Sequence, residues 1–194
     1  MRFVILSLSA SEHSVSRACV PALTDALDRL GHSRTITDVR DLPPVWSRKG
    51  GISVYPEPYQ RLYKQVEECD GIFFFMPIYC YTASGPTKIL SEILGGTGGA
   101  LTWKPAAFVV ASGTARSHLA VRDLMASMAF EQQTLCYPQH VQVMAEDLDA
   151  EKRPGAEPRR RIELLARGFC RFAQALGEQG AFVAHEAARA SAGS

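Results

Sequence analysis

The sequence predicts an α/β fold, a parallel sheet covered by helices on both faces, and three observations carry that prediction. Short runs rich in β-formers alternate with stretches of helical period along the chain. The central run, residues 71–76 (GIFFFM), is apolar at every position, which a sheet with one face in water does not tolerate. The segments between runs are long enough to cross the sheet and return parallel.

Residues 3–8 (FVILSL) form the first strand, too short for a helix, and open into a polar turn over 9–16. From Val15 the period becomes helical, with Ala18, Ala22, Ala26 and Leu30 on one side and Gly31 as the stop. Residues 34–39 (RTITDV) alternate with β-branched residues as the second strand. Residues 41–58, rich in Pro, Gly and Ser and holding Trp46, make a long excursion of the kind that carries binding residues, before a helix over 58–68. The third strand, 71–76, ends at Pro77-Ile78-Tyr79. A helix over 86–94, stopped by the glycines at 95–99, leads to a fourth strand over 105–111 (PAAFVVA), which ends in Ser112-Gly113-Thr114. A helix over about 118–130, a fifth strand at 140–144 (HVQVM) and an amphipathic helix over 159–176 complete one domain, 1–180. Residues 181–194 read as an Ala-rich C-terminal tail, a candidate for disorder. Five parallel strands favour the flavodoxin-like order 2-1-3-4-5, a three-layer sandwich whose ligands sit beyond the carboxyl ends of strands one, three and four.

At 194 residues, with 46% hydrophobic and 21% charged, the chain has the size and composition of one globular domain. A net charge of +1 leaves no global excess to condense on nucleic acid or an anionic membrane, so any phosphate is held locally. Cys19, Cys69, Cys80, Cys136 and Cys170 form no C-x-x-C pair and read as reduced thiols of a cytoplasmic protein. The apolar start is too short for a signal h-region, and no run reaches the roughly 18 apolar residues of a membrane span.

All three strand ends that the fold rule singles out carry small, hydroxylated loops. In the first, Ser9, Ser11 and Ser16 can surround a phosphate together with free backbone N–H groups, and His13 and Arg17 can add charge. A plain serine N-cap is the competing reading. The second, Pro77-Ile78-Tyr79-Cys80-Tyr81-Thr82, offers a platform for a planar ring and hydroxyls for its edge, unless the tyrosines pack on a neighbouring helix. Cys80 reads as a packing residue there. The third, Ser112-Gly113-Thr114, lets backbone approach a ligand or makes a simple turn. No G-x-G-x-x-G or P-loop follows the first strand, no acidic residues of a receiver domain end it, and no Cys-x5-Arg phosphatase loop is present. His13, His118, His140 and His185 are isolated and make no metal-ligand spacing, though His118 lies near the fourth-strand loop.

S9-A-S-E-H-S-V-S-R17, P77-I-Y-C-Y-T-A-S-G-P-T-K88 and K104-P-A-A-F-V-V-A-S-G-T-A-R-S-H118 together resemble the NADPH-dependent FMN reductase family, and within it the flavin reductases of sulfonate and sulfur assimilation. The resemblance covers residues 1–147. Ser11 and Ser16 match the phosphate-binding hydroxyls of the family's first motif, with Ala10 in place of its Gly and His13 in place of its usual Arg; Pro77, Tyr79, Gly85 and Lys88 match the second, where Cys80 replaces a frequent Asn. It implies FMN as cofactor and NAD(P)H as hydride donor, with the flavin ring between the Tyr79 and Ser112 loops. His118 and Thr114 would complete the cofactor site. Hydride transfer of this kind needs no side-chain acid or base, which fits a sequence without a catalytic triad. The resemblance further implies a homodimer or homotetramer, with Trp46, Trp103, Phe169 and Phe172 as candidate interface residues, the two Phe being candidates for the core as well.

The expected function is an NAD(P)H-dependent FMN reductase that supplies reduced FMN to a partner monooxygenase. Three alternatives stand beside it: a prosthetic-FMN reductase of quinones, azo dyes or metal oxyanions, a non-catalytic flavin-binding electron carrier, and a flavoenzyme for a specialised substrate covered by the 41–58 loop. The near-neutral charge argues against a flavodoxin-type carrier, which is usually strongly acidic. Arg48, Lys49 and Arg116 are candidates to meet a nucleotide 2′-phosphate.

Overall fold

The residues of one strand set the architecture. In Gly71–Tyr79 (β3) successive side chains point to opposite faces, so Ile72, Phe74 and Met76 enter one core and Phe73 and Phe75 the other. In the computed structural model, which describes residues 1–96 and 98–192 (178–192 by helical backbone only), β3 is the central strand. Arg2–Ser7 (β1) pairs with one side of it and Pro105–Ala111 (β5) with the other, both parallel. Ser33–Asp38 (β2) and Leu135–Val143 (β6) are the outer strands, in the order β2-β1-β3-β5-β6.

Helices Val15–Ala18 (α1), Val20–Arg29 (α2) and Ala156–Ala192 (α6) lie on the face of Phe73 and Phe75. Glu57–Glu68 (α3), Gly85–Leu94 (α4) and Ala120–Glu131 (α5) cover the face of Phe74 and Met76. Phe73 meets Phe169 of α6 edge-on at 4.7 Å, and Phe74 stacks on Phe108 of β5 at 5.2 Å. Gly71 lets two rings close over the strand: a Cβ there would lie 3.0 Å from the Phe169 ring and 3.2 Å from that of Phe3, so both would have to give way. The order in which the chain fills the sheet reverses between the parallel strands β1 and β3, so the crevice of the fold opens at their carboxyl ends.

The five-strand order is corrected in one respect. A sixth strand, Thr82–Ala83 (β4), pairs antiparallel with the end of β3, so the parallel order 2-1-3-4-5 becomes β2-β1-β3-β5-β6 with β4 as a hairpin at its centre. Three element boundaries also differ. The single helix expected from Val15 breaks at Cys19, because Pro21 has no N–H for the carbonyl of Arg17 and its ring crowds that carbonyl. β6 begins at Leu135 instead of residue 140; its register against β5 jumps where Pro138 interrupts the ladder, since β5 advances from Ala106 to Phe108 while β6 advances from Cys136 to His140. The last helix starts at Ala156 and its backbone continues to Ala192. No helix among the described residues is long and apolar enough to cross a membrane.

Candidate functional site

The loop after β1 is shaped by one guanidinium. Arg17, in the first turn after the loop, donates from Nε to Asp38 Oδ2 at 2.6 Å, from Nη1 to the carbonyl of Ser11 at 2.6 Å, and from Nη2 to the carbonyl of Ser9. A trans peptide points its N–H opposite to its carbonyl, so the N–H groups of Ala10 and Glu12 face away from Arg17. Ser14 caps α1 by accepting from the backbone N–H of Arg17 at 3.1 Å. Among the described residues the backbone N–H groups of Glu12, His13 and Ser14 find no acceptor within the chain. Asp38 is itself held by the backbone N–H, Nε and Nη2 of Arg40 at 2.9–3.0 Å. Burial pushes its carboxyl up, but the hydrogen bonds from Arg40 and Arg17 outweigh burial and hold it at about 2. Asp38 is therefore ionised throughout the neutral range.

The loop after β3 is a two-residue hairpin. Ile78 pairs with Ala83 and Tyr79 with Thr82, leaving Cys80 and Tyr81 at the turn with φ of 50° and 60°. Both central residues of this turn are left-handed, a conformation that Asn and Gly adopt readily and that costs an ordinary side chain roughly 1–2 kcal/mol. Replacing Cys80 by Asn, a residue that tolerates this backbone conformation, should therefore raise the melting temperature by about 1–4 °C, corresponding to roughly 0.5–1 kcal/mol in a chain of this size. Thermal unfolding of C80N by circular dichroism checks this, and a lowered midpoint would show that packing of the thiol outweighs backbone strain. The turn presents Tyr79 with 55% of its surface exposed.

The loop after β5 is fixed from β6. Gln142 donates from Nε2 to Ser112 Oγ at 2.5 Å and to the carbonyl of Thr114 at 3.0 Å, while Ser112 Oγ donates to that same carbonyl at 3.0 Å. The three loops converge on one open cavity of about 200 Å³. Ser9, Ser11 and His13 line it from the first loop, Pro77, Ile78 and Tyr79 from the second, Ser112 and Gly113 from the third.

The remaining expected residues are placed elsewhere. Ser16 is fully buried and shares a hydrogen bond with Ser14 Oγ at 3.1 Å, so Ser14, one residue pair earlier, is the hydroxyl on the cavity wall. Arg17 is engaged from behind the loop by Asp38 and the two carbonyls. Thr82 lines a different cavity, of about 420 Å³, with Lys88, Glu92 and Asp123. Cys80 lies at the exposed turn, Thr114 accepts from the backbone N–H of Arg116, and exposed His118 contacts the carbonyl of Ala115 through Nδ1. Val15, Ala111 and Ala145 also line the cleft and were not expected there. Asp38 and Gln142, which fix two of its walls, were missed too; each is a polar residue near the carboxyl end of a strand, a position that could have drawn attention to them. Arg48 is occupied by the carbonyl of Val54 and the face of Tyr55, 5.5 Å away. Trp46 is 83% exposed and Trp103 half-buried, whereas Phe169 is fully buried, so that ring belongs to the core and not to an interface.

Residues 1–148 match the model of the family described as NADPH-dependent FMN reductase. The chain belongs to that family. Membership makes it an NAD(P)H:FMN oxidoreductase, with FMN and NAD(P)H as its cofactors. Solved structures of the same fold include FerB, a flavoenzyme NAD(P)H:(acceptor) oxidoreductase from Paracoccus denitrificans, at TM-score 0.73 and 18% identity over 89% of this chain and 97% of that one. An apo NADH:FMN oxidoreductase, EMOB, superposes at TM-score 0.71 with 20% identity, covering 87% of each chain. RosB, with a bound 8-demethyl-8-formylriboflavin-5'-phosphate intermediate, reaches TM-score 0.72 at 13% identity over 98% of this chain and 87% of that one. No curated protein sequence matches the chain.

The residues present fit FMN. Unpaired N–H groups and the Ser11 and Ser14 hydroxyls suit a phosphate, Gly113 leaves room for a flat ring against backbone, and Tyr79 supplies an aromatic face at the rim. Bound FMN supplies the redox chemistry of a reductase in this family. Cys19 and Cys136 lie outside the cleft lining, and burial pushes their thiols up to about 12, which keeps them protonated at neutral pH.

Proposed function

We propose that the protein is a flavin reductase in which FMN is bound and released in each turnover, the reduced flavin passing to an FMN-dependent monooxygenase of sulfonate or sulfur metabolism in the cytoplasm. One observation carries this reading: the cleft is open, and among the described residues His13 is the only one of a basic type that lines it. A phosphate held by backbone N–H groups, serine hydroxyls and one imidazole lacks the full positive charge and the bidentate fork that a guanidinium adds, and is held less tightly for it. Weak retention of the phosphate suits a flavin that exchanges. The three walls orient the ring and leave one side open to the nicotinamide nucleotide. No side chain on these walls is needed as a proton donor, so the contribution of this chain is orientation and contact.

Exposed Phe130 and Leu119 on and beside α5, and exposed Tyr79 and Tyr81 near the hairpin turn, support assembly as a homodimer or homotetramer. The reading is tested by anaerobic NADPH and NADH oxidation with purified protein, with and without added FMN. Turnover that appears only with FMN and saturates in it is the expected result. Protein that purifies yellow, is reduced once, and resumes only when a quinone is supplied would overturn exchange and make the flavin a resident group.

A further inference from the structure

Asp38 lies on β2, inside the matched range but outside the three motifs at 9–17, 77–88 and 104–118, and does not line the cleft. Its carboxylate is nevertheless joined to the phosphate-facing loop by a short chain of contacts. Asp38 Oδ2 takes Nε of Arg17 at 2.6 Å and Oδ1 lies 3.5 Å from Nη2; Nη1 holds the carbonyl of Ser11, and Nη2 also holds that of Ser9. Both partners are largely buried, with side-chain exposures of 19% and 14%, so the geometry is held more firmly than that of a surface pair. On the other side of the carboxylate, Arg40 makes three hydrogen bonds and contacts none of the loop residues through any hydrogen bond among the described residues.

We propose that Asp38 is a positioning residue for flavin phosphate recognition, acting through Arg17. The proposal rests on the reading that the Ser9–Ser14 loop receives the FMN phosphate. The carboxylate fixes the guanidinium; the guanidinium holds the carbonyls of Ser11 and Ser9; those two anchors set the course of the backbone that presents Ser9, Ser11, His13 and Ser14 to the cleft. It also keeps Arg17 itself away from the phosphate. The loop thereby selects a phosphate by oriented neutral donors, and selection for FMN over riboflavin depends on a residue that touches neither.

The test is flavin binding by fluorescence quenching, with FMN and riboflavin titrated separately into wild-type protein, Asp38→Asn, Arg17→Gln and Arg40→Ala. Asp38→Asn and Arg17→Gln are each expected to weaken FMN about tenfold, equivalent to about 1.4 kcal/mol, and to leave riboflavin within about twofold. Arg40→Ala should retain the wild-type ratio of the two affinities. Arg17→Gln leaves Asp38 its three bonds from Arg40, so it keeps the test available if Asp38→Asn does not fold. A loss of thermal stability with an unchanged FMN-to-riboflavin ratio in both variants would overturn the proposal and leave the pair a structural one. Tighter FMN binding in Asp38→Asn would overturn it as well, by showing that the released Arg17 reaches the phosphate. Wild-type protein that binds FMN and riboflavin equally would instead refute the phosphate loop itself.

Discussion

Gly113→Trp is expected to abolish flavin binding while leaving the protein folded. Gly113 lies on the cleft wall, its backbone is not in the left-handed region, and a Cβ placed there meets nothing within 4 Å. A side chain added at this point therefore enters open space without straining the chain. An indole fills a large part of a cavity of about 200 Å³ and takes the room a flat ring would occupy. FMN affinity should fall more than about 100-fold, or roughly 3 kcal/mol, with NADPH oxidation lost in parallel. The melting temperature should stay within about 2 °C of the parent, because no packed atom is displaced. Titration of FMN into the folded variant decides the matter. Undiminished binding would move the flavin away from this cleft, with the cavity beside Thr82 and Lys88 the next place to look.

The largest loss of stability is expected from Phe169→Ala. Phe169 is fully buried and its ring meets Phe73 at 4.7 Å, Phe3 at 5.9 Å, Tyr137 at 6.0 Å and Phe172 at 6.4 Å. It joins α6 to β1, β3 and β6 at once. Truncation to Ala loses the transfer energy of the ring and leaves a cavity that a rigid sheet cannot close, a cost of about 3–5 kcal/mol. In a chain of this size that corresponds to a fall of about 6–20 °C in melting temperature. Phe172, only partly buried, should lose far less on the same substitution. Equal and small effects for the two would return Phe169 to the list of interface residues and place it outside the core.

Much of this was legible in the amino-acid order. The run from Gly71 to Met76 announced a strand buried on both faces, and the hydroxylated ends of three strands pointed to one cleft. What stayed hidden has physical reasons. Cys80-Tyr81 carries none of the Asn-Gly chemistry of a tight hairpin, so the short strand Thr82–Ala83 left no local signal. Ser14 and Ser16 are interchangeable as sequence, and only the placing of the helix cap turns one outward and buries the other. Arg17 looked like a phosphate ligand because its partner Asp38 is 21 residues away, on a strand whose neighbour is set by the sheet. Pro21 was a readable helix breaker, and its effect on the carbonyl of Arg17 follows from elementary backbone chemistry.

The grip of Gln142 on the third loop ties the cleft to the outer strand β6. An outer strand has a neighbour on one side only, and this one is already irregular at Pro138. Local unfolding draws on such elements first, in cooperative units that open well below the global free energy. When β6 frays at its carboxyl end, the Ser112–Thr114 wall loses its two amide bonds in the same event. Amide exchange at Ser112, whose N–H is bonded to the carbonyl of Val143, therefore reports the breathing of the cleft and of the sheet margin as one motion.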